Sequence, residues 1–210
     1  MKVDIFYESL CPDSIRFIAD QLRPNYPELK QHLQINFIPF GKSSSFLNEE
    51  TGQVEFKCQH GPEECLGNKV QGCVLSKLAD QDAQVNYVSC QMRPGAARDH
   101  QQCVVEAGLA WEEIFACTQS DFATQQQQHF EQVSSPIIVS TKYLTKSSVL
   151  KFICYFFIHF KATTNWVPSI IFNDQFKAEL ANTSKSPPFK TIICDTIYNT
   201  NPACKVPAPF

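Results

Sequence analysis

Hydrophobic residues in the first forty positions follow two different spacings. Val3, Ile5 and Tyr7 occupy alternate positions, which predicts a mostly buried strand. Residues 33–40 form a second strand-like run. Between these strands, apolar residues recur at the spacing of one helical face, namely at Ile15, Ile18, Ala19 and Leu22. A strand, a helix and a strand in this order predict a βαβ unit with a parallel strand pair.

The middle of the chain has helical patterns between polar stretches. We expect Pro24 and Pro27 to disturb the far end of the first helix, because proline lacks the N–H that a helix interior needs. Residues 41–64 are polar and are expected to be irregular. Apolar residues at helical spacing predict one helix around residues 70–78 and another over residues 104–115.

The last strong pattern is a strand followed by a turn. Residues 166–172 are strand-like, and Asn173-Asp174 is a turn signal after them. No linker or internal repeat divides the chain. We therefore expect an α/β fold in a single domain over residues 1–210.

The composition is that of a folded protein with many cysteines. With 43% hydrophobic residues, the chain can bury a core, which excludes disorder as the answer for the whole chain. A formal net charge of -3 argues against nucleic acid as the main partner. The 10 cysteines in 210 residues favour an oxidising compartment or a metal site.

Neither a membrane helix nor a signal peptide is predicted. The longest apolar run, residues 149–160, contains Lys151 and His159, and it is much shorter than the about 20 residues that a membrane helix needs. The chain enters its first strand without a cleavage-site pattern. If the protein is secretory, we expect this sequence to be a mature or truncated form.

Cys11 has the position of a reactive thiol. It lies between the first strand and the first helix, and a helix N-terminus favours the thiolate, although Asp13 opposes this effect. Val167-Pro168 precedes the late strand, where a cis-proline loop often contacts such a thiol. The alternatives for Cys11 are a buried structural cysteine or a disulfide partner.

Residues 58–73 contain a long motif with eight fixed positions. The motif has the sequence CQHG, two residues, EC, two residues, N, four residues and C. It resembles the signature of the gamma-interferon-inducible lysosomal thiol reductase family. The resemblance extends to the opening strand with Cys11, to the later cysteines and to Val167-Pro168.

This resemblance implies a fold, an activity and a location. The fold would be thioredoxin-like with a helical, disulfide-rich insertion, which we expect over residues 41–135. The activity would be reduction of disulfide-containing proteins, in endosomes and lysosomes or after secretion. No cofactor is implied beyond an external thiol reductant, and a cell-surface or secreted protein is a further candidate partner.

One position departs from the family pattern. The family's reactive motif is Cys-x-x-Cys, and Cys11 matches its nucleophile, but Ser14 stands where the resolving cysteine should be. The hypotheses are therefore a weakened monothiol reductase or isomerase, a thiol that traps its partners, and a redox-inactive secreted binding protein. A glutathione-dependent transferase is a weaker fourth hypothesis, because the bridging cysteine pattern argues against it.

The remaining cysteines fit a set of disulfides. With Cys11 free and Cys154 set aside, eight cysteines can close four bridges, and the sequence leaves their pairing open. These eight are Cys58, Cys65, Cys73, Cys90, Cys103, Cys117, Cys194 and Cys204. A zinc site at Cys58, His60, Cys65 and Cys73 is the disfavoured alternative, because the spacing is unusual for zinc. We expect no metal ion.

Other notable residues receive plainer interpretations. We expect His60 to be structural, and Glu63 and Glu64 to be a solvated or capping pair. Asn182 begins a glycosylation sequon. Residues 142–161 exceed the family pattern and have an unusual composition, so this anomalous insert is either a genuine insertion or an error in the gene model.

Overall fold

The computed structural model describes residues 1–95, 99–139, 167–176, 188–197 and 204. The strands in these ranges are β1 (Lys2–Tyr7), β2 (Gln34–Pro39), β3 (Ser44–Leu47), β4 (Val54–Lys57), β5 (Ser169–Phe172) and β6 (Gln175–Phe176). The helices are α1 (Pro12–Phe17), α2 (Arg23–Leu29), α3 (Pro62–Lys77), α4 (Gln81–Gln91), α5 (His100–Glu106), α6 (Trp111–Thr118), α7 (Asp121–Val139) and α8 (Phe189–Thr196).

A four-stranded sheet of order β2-β1-β5-β6 forms the centre of the fold. Ile5 of β1 lies opposite Phe37 of the parallel β2 and opposite Ile170 of the antiparallel β5. Asn173 and Asp174 form the turn to β6, with φ values of 46° and 61°. The predicted βαβ unit, late strand and turn are therefore confirmed. This order, with β1 and β2 parallel and the β5–β6 hairpin antiparallel, is thioredoxin-like, as the sequence predicts.

Both faces of β1 are buried. Ile5 and Tyr7 are fully buried in the main core, which also contains residues of helices α1 to α5. Phe6 points to the other face, where it packs with Ile171 and the half-buried Phe130 of α7. Burial on both faces fixes β1 tightly, and with it the position at which the chain leaves the sheet.

The first helix does not end at its prolines. A π-helical turn, Ile18–Leu22, joins α1 to α2, and the chain stays helical through Pro24 and Pro27 to Leu29. Pro24 lies in the first turn of α2, where its missing N–H costs little. Because a proline ring collides with the carbonyl four residues earlier, the wider π turn before Pro24 relieves the clash. The prolines therefore change the hydrogen-bond pattern of the helix, but they do not end it.

Residues 41–64 contain regular structure, contrary to the prediction. Strands β3 and β4 form an antiparallel hairpin, with Ser44 opposite Lys57. Phe46 and Leu47 of this hairpin remain 47% and 62% exposed. Strand β3 therefore lacks the alternation of buried apolar and exposed polar residues by which a strand is recognised, and β4 shows that alternation over only four residues.

The helices after α3 also differ from the predicted pattern. The helix expected over residues 104–115 is two helices, α5 and α6, separated at Gly108, whose φ of 77° is left-handed. The sequence analysis missed α4, because the buried residues of α4 do not form one continuous apolar face. Asp80 caps α4 by accepting the backbone N–H of Ala83 at 2.8 Å.

Four disulfides cross-link the part of the chain that the structure describes. They join Cys58 to Cys65, Cys73 to Cys117, Cys90 to Cys103, and Cys194 to Cys204. These are the eight cysteines that the sequence analysis assigns to bridges. Each disulfide stabilises the fold by roughly 2–4 kcal/mol. Because three of its four ligands are in disulfides, the zinc alternative is wrong.

Several sequence predictions stay predictions. Asn182, Cys154 and residues 142–161 lie outside the described residues. The insertion limits of 41–135 and the single domain over 1–210 are not tested by the structure. Among the helices that the structure describes, none is long and apolar enough to cross a membrane.

Helix α3 packs closely against the loop between β1 and α1. At Gly67, a Cβ atom would lie 2.5 Å from Ser9 Oγ and 3.2 Å from His100 Cε1, so the close approach requires glycine. His100 is 6% exposed, and its Nδ1 is hydrogen-bonded to Gln91 Oε1 at 2.8 Å. The loop, α3 and α5 thus meet at one crowded point.

Gly67→Ala should destabilise the protein by about 1–3 kcal/mol, because the added methyl group pushes Ser9 away from α3. Urea unfolding measures this change. Gly72→Ala is the matched control, since it lies on the same helix and its Cβ would meet the movable end of the Gln126 side chain. Equal stability of the two variants would contradict the tight packing at Gly67.

His100 should make the protein less stable in acid. Burial lowers the pKa of His100, partly offset by the nearby Glu63 and Asp99. The unfolded state therefore takes up a proton below about pH 6.5 more readily than the folded state does. The stability that the folded protein gains by keeping His100 neutral is complete above about pH 6.5 and is lost as the pH falls below it.

We expect His100→Gln to remove part of the stability loss between about pH 7.5 and pH 5, so that its stability falls less steeply with pH than that of the wild type. Urea unfolding at a series of pH values measures the difference from the wild type. His129→Gln is the control, because His129 is exposed. Parallel pH profiles for the wild type and His100→Gln would show that His100 does not carry the effect.

Candidate functional site

Cys11 lies just beyond the carboxyl end of β1 and is the N-cap residue of α1. Its Sγ donates a hydrogen bond to the carbonyl oxygen of Val167 at 3.5 Å, and the Val167-Pro168 peptide bond is cis. Sheet pairing explains this contact, since Ser169 at the start of β5 lies opposite Phe6 of β1. The candidate nucleophile and the cis-proline turn are therefore adjacent.

The thiol of Cys11 is free and shielded. Among the described residues, Cys11 is the cysteine without a disulfide, and it is 7% exposed. Ser14, one helical turn later, is fully buried, and its Oγ accepts the backbone N–H of Glu8 at 3.4 Å. Ser14 thus supports the loop before Cys11 with a hydroxyl at the position where the family motif has a thiol.

The disulfide between Cys58 and Cys65 closes the turn that leads into α3, with Cα atoms 5.6 Å apart. Gly61 adopts a φ of 90° in this turn, and Pro62 is the first residue of the helix. His60 lies in this turn and is thereby held beside the first turn of α3.

Two motif residues of α3 hold the loop that leads to Cys11. Asn68 Oδ1 accepts the backbone N–H of Ser9 at 3.0 Å. The hydroxyl of Ser9 donates to the backbone carbonyl of Glu64 at 3.1 Å. Glu64 and Asn68 are four residues apart on one helix face, and both are fully buried. The fixed spacing in the motif therefore matches a clamp on this loop.

A buried acidic pair lies beside this clamp. Glu8 Oε1 accepts the backbone N–H of Lys42 at 2.7 Å, while Glu8 Oε2 lies 3.6 Å from His60 Nδ1. Glu64 Oε2 lies 2.6 Å from the same nitrogen. Burial, and then the charge of Glu64, raise the pKa of Glu8 to about 7, while the Lys42 amide and His60 lower it. The two carboxylates and the imidazole form a set of donors that could hold a metal ion.

The sequence analysis missed part of this arrangement. Glu64 is fully buried and accepts the backbone N–H of His60 at 3.0 Å, so the solvated interpretation is wrong for Glu64 and the capping one fits. Glu63 is exposed. Glu8 was not singled out, although a charged residue that ends a strand of buried residues three positions before Cys11 is an available signal.

Sequence comparisons find relatives that are about a third identical to the chain over the aligned residues. A gamma-interferon-inducible lysosomal thiol reductase-like protein of Anopheles gambiae is 36% identical over 139 residues, which cover 60% of this chain and 57% of that protein. GILT-like protein 1 of Drosophila melanogaster is 36% identical over 136 residues, covering 57% of this chain and 54% of the relative. The chain spans about half the length of the curated relatives it matches.

A search of solved structures finds a putative protein disulfide isomerase from Nitrosomonas europaea, with a TM-score of 0.41 and 17% identity. The match covers 64% of this chain and 79% of that one. The fold assignment rests on the strand order above and not on this distant similarity.

A family model covers the half of the chain that carries Cys11, Ser14 and the motif. Residues 2–107 match the model described as gamma interferon inducible lysosomal thiol reductase (GILT). Together with the relatives named above, this match shows that the chain belongs to the GILT family.

Proposed function

We propose that the chain catalyses thiol–disulfide exchange on protein disulfides through Cys11 as its single nucleophile. The observation that carries this proposal is the free thiol of Cys11, held against the carbonyl of Val167 at the cis-proline turn. A thiol in a permanent disulfide, or packed away from Pro168, would be unable to serve. Membership of the GILT family supports the same chemistry.

The first step forms a mixed disulfide. The Cys11 thiolate attacks one sulfur of a substrate disulfide, so that a Cys11–substrate S–S bond forms and the substrate's own S–S bond breaks. The second substrate sulfur leaves as a thiolate and takes a proton from water. In this step Cys11 is oxidised to the disulfide level and half of the substrate disulfide is reduced.

The second step requires a thiol from outside the site. A hydroxyl at position 14 cannot attack the mixed disulfide, so a low-molecular-weight thiolate attacks its substrate sulfur. A disulfide between the substrate and the external thiol forms, the Cys11–substrate bond breaks, and Cys11 leaves as a thiolate. A second molecule of the external thiol then attacks the sulfur of the first, and the substrate leaves as a thiolate that takes up a proton. Two external thiols become one disulfide, and the substrate disulfide becomes two thiols. The external thiol is the only co-reactant.

The same features support proposals about partners and place. Disulfide-containing proteins are the proposed substrates. A secreted or endosomal and lysosomal location is proposed, since several GILT relatives carry lysosomal in their names and four disulfides suit an oxidising compartment. A glycan on Asn182 belongs to the same proposal.

A redox-inactive secreted binding protein is the second candidate function. Two observations favour it: Cys11 is only 7% exposed, and a serine occupies position 14. In this case Cys11 would keep its place in the fold without exchanging disulfides. The two candidates therefore differ in the reactivity of one thiol.

Incubation with a short disulfide-bonded peptide should give a mixed disulfide at Cys11, because the thiol is free and next to the cis-proline turn. Intact-mass measurement followed by peptide mapping detects it. Cys11→Ser is the control and should give no adduct at this site. If the wild type also carries none on Cys11, the exchange reaction is excluded and the binding candidate remains.

Ser14→Cys should raise the turnover of a protein disulfide about tenfold or more at a fixed concentration of external thiol. The reason is that a thiol in the same loop attacks the mixed disulfide at a far higher effective concentration than a dissolved thiol does. A reductant-coupled assay measures the rate.

The matched control is Ser76→Cys, which adds a thiol on the exposed side of α3. It should leave the rate unchanged. A Ser14→Cys variant that folds but gains no turnover would contradict the proposal that the missing resolving thiol limits the reaction.

A further inference from the structure

Three side chains from two segments of the chain converge on one point beside the clamp. The atoms Glu8 Oε2, Glu64 Oε2 and His60 Nδ1 come from the end of β1, the first turn of α3 and the turn before it. All three atoms lie within 4.8 Å of one another. Both carboxylate side chains are fully buried, whereas the side chain of His60 is 32% exposed.

Hydrogen bonding within the protein does not satisfy this cluster. His60 Nδ1 can carry one hydrogen, and it lies 2.6 Å from Glu64 Oε2 but 3.6 Å from Glu8 Oε2. Glu8 Oε2 is therefore a buried oxygen without a hydrogen-bond partner, directed at the other two groups. A buried polar atom of this kind costs free energy unless a ligand or a proton satisfies it.

The surrounding backbone fixes both carboxylates with one oxygen turned inward. Glu8 Oε1 is held by the amide of Lys42, and Glu64 Oε1 is held by the amide of His60. Gly41 makes the first contact possible, because a Cβ at Gly41 would lie 2.3 Å from Glu8 Cγ. Anchoring the outer oxygen is the role that supporting hydrogen bonds play around metal ligands.

The donor set and its spacing suit a divalent transition-metal cation. Carboxylate oxygen and imidazole nitrogen bind Zn²⁺ at about 2.0–2.2 Å, so that tetrahedral ligand atoms lie roughly 3.3–3.6 Å apart. The 3.6 Å between His60 Nδ1 and Glu8 Oε2 already fits this spacing. Glu64 Oε2 and His60 Nδ1 would have to separate by about 0.7–1 Å. The partly exposed His60 leaves a path from solvent. Two carboxylates and one imidazole also leave room for water as a further ligand.

We propose that Glu8, His60 and Glu64 bind one divalent transition-metal cation. The cation ties the GILT motif to the loop that carries Cys11, and it acts in the fold without entering thiol exchange. This site differs from the sequence-based zinc alternative, which placed the ion on cysteine thiolates, and from the expectation of no metal. It does not depend on the proposed redox function.

The test is a titration of the full chain with Zn²⁺ alone, after removal of metal with a chelator and alkylation of free thiols. Isothermal titration calorimetry should show one equivalent bound. Zn²⁺ at 100 times its dissociation constant should lower the unfolding equilibrium constant about 100-fold. A wild-type chain that binds no Zn²⁺ overturns the proposal, and a proton on Glu8 then satisfies the cluster.

Variants locate the bound ion. Glu8→Gln keeps the shape of the side chain but removes its charge, and it should weaken Zn²⁺ binding by about 100-fold or more. His60→Gln is the second variant, chosen because the partly exposed His60 tolerates substitution even if Glu8→Gln fails to fold. Glu63→Gln and His129→Gln are exposed controls and should bind as the wild type does. Unchanged affinity in His60→Gln places the ion elsewhere and overturns the proposal.

Discussion

Two hydrogen bonds between Ser9 and α3 determine where the loop that leads to Cys11 lies. The backbone N–H of Ser9 donates to Oδ1 of Asn68, and the Ser9 hydroxyl donates to the backbone carbonyl of Glu64. Ser9 lies two residues before Cys11, so these bonds restrain the backbone that carries Cys11 beside the cis-proline turn. Gly67 allows the approach by omitting a side chain. The GILT motif therefore holds the loop between β1 and α1 in place.

Cys11 differs from the other described cysteines in its bonding. Eight described cysteines form four disulfides that hold the helices together, while Cys11 stays free. Ser14 has a structural role that a resolving cysteine would combine with a chemical one. Its hydroxyl accepts a hydrogen bond from the backbone N–H of Glu8, but it cannot resolve a mixed disulfide. In the reaction that we propose, the second step therefore falls to a dissolved thiol.

The pattern of hydrophobic positions predicted the sheet and the helix after Cys11, because β1 and β2 are strongly apolar and the apolar residues of that helix are regularly spaced. The pattern did not predict elements whose structure depends on tertiary packing. The β3–β4 hairpin leaves Phe46 and Leu47 exposed, and α4 lacks a continuous apolar face. Cys11, Ser14 and Pro168 could be chosen from sequence position, whereas the meeting of Glu8 with His60 depends on how α3 packs against the end of β1.

The most direct measurement is a crystal structure of the chain joined to a short peptide through a mixed disulfide. The account predicts that the peptide sulfur is bonded to Cys11 Sγ, that the peptide lies along Val167-Pro168, and that Ser9 keeps its hydrogen bonds to Asn68 and Glu64. A peptide bonded to a different cysteine, or a loop pulled away from α3 to reach it, would contradict the account.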